Sequence, residues 1–350
     1  NAGTAGTTIQ SWGISSATIG VDNITFGSLV SDLLINQTYQ FDIPEGFVVD
    51  SNDTDYVGTA WTFTVRPAAH LLYAWGYNAN GQLGLNESGA PDRKSSPVQV
   101  PGLSWGLFTG DGNNVGQNSY NIKINGELWA WGSNSVGSLG QNSTTYYSSP
   151  VQIGSDLTWK KVSGSNSFVT AIKTDGTLWA WGWNNRGMLG QNQGPGSSNG
   201  SASSPAQIPG TTWKDTYSGE SYALAIKTDG TLWVWGDNTD GELGLNDRTF
   251  RSSPTQIPGT TWRTASGSGV HPSISHTVAT KTDGTAWAWG SNKYGQLGQN
   301  ENENNTGAYS SPVQIPGTSW SELAAAGGYV TWIGRTDGTL WAVGDNYGDR

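Results

Sequence analysis

Residues 204–244 read SPAQIPGTTWKDTYSGESYALAIKTDGTLWVWGDNTDGELG, and variants of this stretch recur along the chain. A Trp-Gly dipeptide marks each copy, at intervals of 50 to 56 residues. The copies lie at Trp75-Gly76, Trp131-Gly132, Trp181-Gly182, Trp235-Gly236 and Trp289-Gly290, with a degenerate sixth at Val343-Gly344. A repeat of this length predicts structural units that bury their apolar faces against their neighbours.

Each copy is predicted to form four strands, of which the first follows Ser-Pro and the second contains a lone tryptophan such as Trp213. An Asp-Gly pair between the third and fourth strands predicts a two-residue hairpin turn, since both residues tolerate a positive φ. The fourth strand, 231–236, is apolar on both faces. We therefore expect sheets to cover it on both sides, as blades do in a propeller.

Composition excludes several classes of protein. The 350 residues include 19 Trp and 50 Gly but no Cys, which excludes a disulfide scaffold and thiolate chemistry. A net charge of −10 disfavours a nucleic-acid partner. No apolar run approaches the length that spans a membrane.

The phrases SPVQI, a lone Trp, KTDGTLWAWG and GQLG together resemble the repeat of the regulator of chromosome condensation family, from Leu71 onward. The resemblance implies an all-β protein with a β-propeller of six to seven four-stranded blades. The stretch 71–84 and the last unit are partial copies, so either they join to close six blades or a seventh blade completes the ring. KTDGTLWAWG and SSPVQIPGT are most similar to propellers encoded by marine bacteriophages.

The stretch 1–68 lacks the repeat. Residues 38–66 resemble a bacterial Ig-like module of the kind found in surface-layer and phage structural proteins, so we expect a small β-sandwich, partly incomplete, that serves attachment. The propeller is expected over 69–350. An acidic loop with Asp50, Asp53 and Asp55 lacks the spacing of an EF-hand, and a solvated turn is the favoured interpretation over a calcium site.

No catalytic, cofactor or metal site is expected. The Asp-Gly carboxylates recur in every unit and so are interpreted as turn residues. His276 is interpreted as structural, and a metal site made of His271 and His276 is disfavoured because no carboxylate supports it. Binding is expected on the unequal loops 85–96, 191–204 and 299–311 at one rim, with Tyr146, Tyr147, Phe250 and Tyr309 as candidate contacts.

The favoured hypothesis is a non-enzymatic structural protein of a phage virion, namely a tail fibre, spike or capsid decoration. Residues 1–68 are expected to contact other virion proteins, and the propeller to face a host-surface glycan or protein, within a homo-oligomer or larger assembly. No membrane insertion is expected, and the location is the virion surface. The alternative is a secreted or cell-surface bacterial adhesin or enzyme inhibitor. A carbohydrate-active enzyme is a weaker third hypothesis.

Overall fold

A computed structural model describes residues 17–19, 24–26, 38–41, 61–64, 70–89, 93–106, 117–165, 167–193, 200–268, 274–301 and 307–345. The chain divides into two compact units, Asn1–Ala69 and His70–Arg350. Within the described residues, no helix has the length and apolar character needed to cross a membrane.

The first unit contributes four described strands: β1 (Ala17–Ile19), β2 (Ile24–Phe26), β3 (Thr38–Phe41) and β4 (Trp61–Thr64). β1 pairs with β2 and β3 pairs with β4, both antiparallel. The Ig-like character of this unit stays a prediction. The acidic loop with Asp50, Asp53 and Asp55 lies outside the described residues.

The second unit is all-β over its described residues. Its strands are β5 (Tyr73–Tyr77), β6 (Arg93–Gln99), β7 (Asn118–Ile122), β8 (Leu128–Gly132), β9 (Tyr147–Gln152), β10 (Trp159–Gly164), β11 (Phe168–Lys173), β12 (Leu178–Trp183), β13 (Ser201–Ile208), β14 (Trp213–Ser218), β15 (Tyr222–Lys227), β16 (Leu232–Gly236), β17 (Arg251–Ile257), β18 (Trp262–Gly267), β19 (His276–Lys281), β20 (Ala286–Gly290), β21 (Tyr309–Ile315), β22 (Trp320–Ala326), β23 (Val330–Arg335) and β24 (Leu340–Gly344). They form six antiparallel sheets, β5-β6, β7-β8-β9, β10 to β13, β14 to β17, β18 to β21 and β22-β23-β24. A single bridge between Trp105 and Lys123 stands beside β7 where other blades have an inner strand.

The blades begin at a different point of the repeat from the one predicted. The Ser-Pro strand does not open its own blade but pairs with the Trp-Gly strand of the preceding unit, as β13 does with β12 from Leu178↔Ile208 to Trp183↔Ser201. Each complete blade therefore runs from the lone-Trp strand to the next unit's Ser-Pro strand. The longer connection, 184–200, returns the chain antiparallel beside β12, whereas the four residues 209–212 carry it from β13 into the next sheet. There the lone-Trp strand β14 pairs with β15, from Trp213↔Lys227, so its ladder is not open to β13.

The Asp-Gly hairpin also differs from the two-residue turn predicted. The amide of Gly176 donates to the carbonyl of Lys173, and the amide of Lys173 donates to the carbonyl of Thr177. Only the glycine has a positive φ, +78°. This is a type I turn followed by a left-handed glycine, which is the usual three-residue hairpin. The Asp175 carboxylate accepts bonds from both the amide and the hydroxyl of Thr177, which stabilises the turn.

Neighbouring blades are joined by the Trp-Gly tryptophans, as the two apolar faces of the fourth strand predict. Trp235 is fully buried, and its indole N–H donates to the carbonyl of Met188 in the preceding blade at 2.7 Å. The same bond joins Trp131 to Gln82, Trp181 to Ser138 and Trp289 to Glu242. The degenerate copy has Val343 in place of the indole, and a cavity of about 170 Å³ lies against it.

The two outermost sheets leave large apolar faces uncovered. Trp75 is 61% exposed, whereas its equivalents in the following four blades are at most 3% exposed. At the other end, Trp332 of β23 and Leu340 of β24 lie on one face of the last sheet and are 42% and 57% exposed. The partial copies form separate sheets, and each has its own strand at the Trp-Gly position, so they are not the two halves of one blade.

Candidate functional site

The predicted rim aromatics lie at equivalent ends of three blades. Tyr147 stands opposite Gly132 and Tyr309 stands opposite Gly290, in the same register of their sheets. Phe250 and Tyr146 each come one residue before the matching strand start. Tyr146 is exposed, whereas Tyr147, Phe250 and Tyr309 are half-buried. No ring contact joins these four among the described residues, so each blade presents its own aromatic.

The loops that carry these aromatics are held in place by a recurring asparagine. The side-chain amide of Asn134 donates to the carbonyls of Ser143 and Thr145, nine and eleven residues further on. Its carbonyl oxygen accepts from the amide of Leu139. Asn238 makes the matching contacts two blades later. The loop that leads to Tyr146 is therefore held by hydrogen bonds within its own blade.

A basic side chain lies between two tryptophans in each of the last five sheets. In the third of these sheets, the Lys227 ammonium lies 4.7 Å from the ring centroid of Trp213 and 4.2 Å from that of Trp233. Such cation–π contacts are worth roughly 0.5–1 kcal/mol each at exposed sites. The equivalent sandwiches are made by Lys123, Lys173, Lys281 and Arg335.

Sequence reasoning missed this basic position, although a signal was present. A Lys or Arg stands two residues before the Asp-Gly or Asn-Gly turn in five copies, in a chain with only 17 basic residues. These basic residues, each held between two tryptophan rings, differ in whether a carboxylate also lies close to them. Lys173 forms an ion pair with Asp156 at 2.6 Å, and Lys123 lies 3.6 Å from Glu127. Lys227 and Lys281 have no carboxylate within 4.0 Å among the described residues.

The repeated turn carboxylates are occupied by the fold. Two hydrogen bonds from Thr231, one from its hydroxyl and one from its amide, lower the pKa of Asp229 below its ordinary value. The hydroxyl of Thr231 also accepts the indole N–H of Trp233. These groups therefore connect the turn to the sandwich, as predicted for turn residues.

Two buried titratable groups lie in the interior of the repeat. Burial raises the pKa of Glu242 to about 8 and lowers that of His276 to about 4. The Nε2 atom of His276 lies 2.7 Å from the Thr331 hydroxyl of the next blade. His276 thus has a structural place between blades, as expected. His271 lies outside the described residues, and among the described residues no three His, Asp or Glu side chains are grouped to hold a metal ion.

Comparison with protein families gives a match to the model described as Regulator of chromosome condensation (RCC1) repeat. The matched residues are 70–105, 125–172, 175–226, 229–272 and 283–333. A second model with the same description matches 159–187 and 213–242. The match covers more than half of the chain and confirms the resemblance drawn from the repeated phrases.

Individual proteins are similar over part of their length. The Ultraviolet-B receptor UVR8 of Arabidopsis thaliana is 26% identical over 290 residues, which are 79% of this chain and 61% of that protein. A Protein RCC2 homolog of Danio rerio is 36% identical over 97 residues, 27% of this chain and 18% of that protein. The chain thus spans less than two thirds of the length of these relatives.

Among solved structures, yeast RCC1 (Prp20) bound to Kap60 matches with a TM-score of 0.63 and 18% sequence identity. The match covers 79% of this chain and 65% of that one. At this level of identity the likeness concerns the fold alone, and it supports a β-propeller built from such repeats.

Proposed function

Because the chain belongs to the Regulator of chromosome condensation (RCC1) repeat family, we propose that it is a non-enzymatic binding protein. Its propeller presents variable loops to a host-surface glycan or protein. We propose further that it is displayed on a bacteriophage virion as a tail fibre, spike or capsid decoration. The virion surface is then its location.

The observation that carries the proposal is the contrast between a constant scaffold and unequal loops. The Trp-Gly indoles make the same bond in four successive blades, whereas the loops that follow them differ in length and sequence. Binding residues are concentrated in loops that a rigid framework positions. The exposed Tyr146 and half-buried Phe250 and Tyr309 sit where such loops meet the strands.

A non-enzymatic role is supported by what the acidic groups do in the fold. The recurring Asp side chains, for example Asp175 and Asp283, accept bonds from the threonine two residues later in the turn. Glu242 is buried and accepts the amide of Asp240. A general acid or base has to reach a substrate proton, and these groups are engaged in the scaffold.

Assembly with further copies or virion proteins is supported by the uncovered outer sheets. The face with Tyr73, Trp75 and Tyr77 is about half exposed or more, and the face of the last sheet with Trp332 and Leu340 is exposed to a similar degree. Clusters of exposed large apolar side chains on soluble proteins mark interaction surfaces. We propose that other blades of this repeat cover them in a homo-oligomer or larger assembly, while residues 1–68 attach to other virion proteins.

The proposal is tested by electron microscopy of purified particles labelled with an antibody raised against the 70–345 segment of the chain. Labelling at tails, baseplates or capsids is expected, and particles lacking the gene serve as the control. Labelling confined to the bacterial surface would contradict virion display and favour the secreted or cell-surface binding module instead.

A further inference from the structure

We propose that the groove beside Lys227 binds a carboxylate-bearing sugar, such as a uronic acid unit of a surface polysaccharide. The proposal rests on the proposed function as a surface-binding protein and gives that function a ligand class. The groove has a volume of about 420 Å³, which is enough for one or two sugar rings. It runs between the blade of β10 to β13 and the blade of β14 to β17.

The charge at the groove is a lysine that is held in place and forms no ion pair with a described carboxylate. Trp213 is buried and Trp233 half-buried, and their rings hold the Lys227 ammonium between them. Because the side chain is already ordered, an anion that binds there does not have to immobilise it. No described carboxylate lies within 4.0 Å of its Nζ atom.

The preceding blade shows what this arrangement accepts. There the equivalent Lys173 lies between Trp159 and Trp179, and its Nζ atom is 2.6 Å from the carboxylate of Asp156. The hydrogen bond from Lys173 lowers the pKa of Asp156 to about 2. A carboxylate therefore fits against a lysine sandwiched in this way, and the chain supplies one at Lys173 but not at Lys227.

The rest of the lining favours a sugar over a simple anion. Pro209, Pro254 and the half-buried Trp233 give apolar surfaces, on which the C–H face of a pyranose ring packs well. The side chains of Gln191 and Asn192 add amide groups for sugar hydroxyls. The oxygen of Asn192 accepts from the Ser253 hydroxyl at 3.2 Å, which orients its amide nitrogen.

The groove also lies at the start of a loop singled out by its length. Gln191 and Asn192 are the first residues of 191–204, the longest of the loops between units. The Gln191 amide nitrogen donates to the carbonyl of Gln207 on β13, so the loop leaves the blade from a fixed point. A ligand seated at Lys227 thus lies next to Gln191 and Asn192, the described start of this stretch.

Isothermal titration calorimetry of the full chain with trigalacturonic acid tests the proposal. Its methyl ester is the uncharged probe, and an acetylated triglutamate peptide tests for an acidic peptide ligand. We expect binding of the acid that weakens with added salt, and about tenfold or greater weakening for the ester and for Lys227→Met, equivalent to about 1.4 kcal/mol.

Two further variants separate ligand binding from folding. Lys227→Arg keeps the cation, and Arg335 shows that an arginine fits between two such tryptophans, so binding should stay within about threefold. Lys173→Met removes the same ring contacts where Asp156 already occupies the site, so affinity should not change. Unfolding temperatures verify that every variant is folded.

Three results would overturn the proposal: no binding of the acid, equal loss in Lys173→Met and Lys227→Met, or equal affinity for acid and ester. Tighter binding of the glutamate peptide would replace the sugar by an acidic protein segment. A chain that labels virions and host cells but ignores the uronate would contradict only the groove. A chain that binds uronate through Lys227 but is absent from particles would contradict only virion display.

Discussion

Glu242→Gln should stabilise the folded chain by an amount that grows as the pH rises from about 5 to about 8. Glu242 is 1% exposed, and one oxygen accepts the amide of Asp240 at 2.7 Å. Glutamine stands at the same position in two other units. There Gln82 and Gln296 accept the equivalent amide through Oε1. The amide side chain thus fits the site without carrying a titratable group.

The magnitude follows from the pKa of Glu242 in the two states. It is about 8 in the folded chain because of burial, against an ordinary value of 4.5. Above pH 4.5 the unfolded chain releases this proton while the folded chain keeps it, so stability falls as the pH rises and stops falling above about 8. The full difference corresponds to about 5 kcal/mol, and we expect roughly half of it once the site relaxes around the charge.

Urea unfolding followed by tryptophan fluorescence at a series of pH values measures the effect. The difference between variant and parent should be near zero around pH 4.5 and should reach about 2–3 kcal/mol by about pH 8. A pH-independent difference for Glu242→Gln, or a parent more stable than the variant at pH 8, would refute the reasoning.

Three other changes test the packing between blades. Trp235→Ala should lower the free energy of unfolding by about 4 kcal/mol, because it leaves a core cavity and removes a hydrogen bond to the preceding blade. The exposed Trp183→Ala should lower it by less than about 1 kcal/mol. Comparable losses in the two variants would contradict the assigned burial. Gly244→Ala would place a Cβ 2.8 Å from the Trp289 indole nitrogen, so calorimetry should show a larger drop in Tm than for Gly338→Ala, where only the positive φ is strained. Burial depresses the pKa of His276, so acid protonates this residue more readily in the unfolded chain than in the folded chain. His276→Gln should therefore reduce the loss of stability that occurs as the pH falls from about 6.5 to about 4. If the variant lost as much stability over this pH range as the parent, burial of His276 would be contradicted.

The repeat itself could be predicted because its pattern reports burial directly. Apolar residues on both faces of 232–235 required a sheet on each side, and the Trp-Gly strands of the interior blades are buried in this way. The start of a blade could not be predicted in the same manner. In a tandem repeat, the sequence does not show which strand begins each sheet. The pairing of β12 with β13 shows that the Ser-Pro strand ends a sheet.

The site was less accessible to sequence reasoning than the scaffold. Tyr146, Tyr147, Phe250 and Tyr309 were placed by their loops, but their degree of exposure depends on strand register. The groove at Lys227 combines residues from two blades, so its lining depends on contacts between units rather than on any single motif. The basic residue before each turn could be recognised in the sequence, but its contact with two tryptophan rings is evident only in the structure.

The most direct test of this architecture is a disulfide crosslink, since the chain has no cysteine of its own. Trp183 and Ser201 are partners across β12 and β13, so cysteines at these two positions should form a disulfide under mild oxidation in the monomeric fraction. If β13 and β14 formed a hairpin with Ile208 opposite Trp213, Ser201 would instead stand opposite Glu220, two residues after β14. Cysteines at Ser201 and Glu220 should stay reduced, because β13 belongs to the blade that precedes the blade of β14. Crosslinking of the second pair but not the first would mean that the Ser-Pro strand opens its own blade, which would contradict the account.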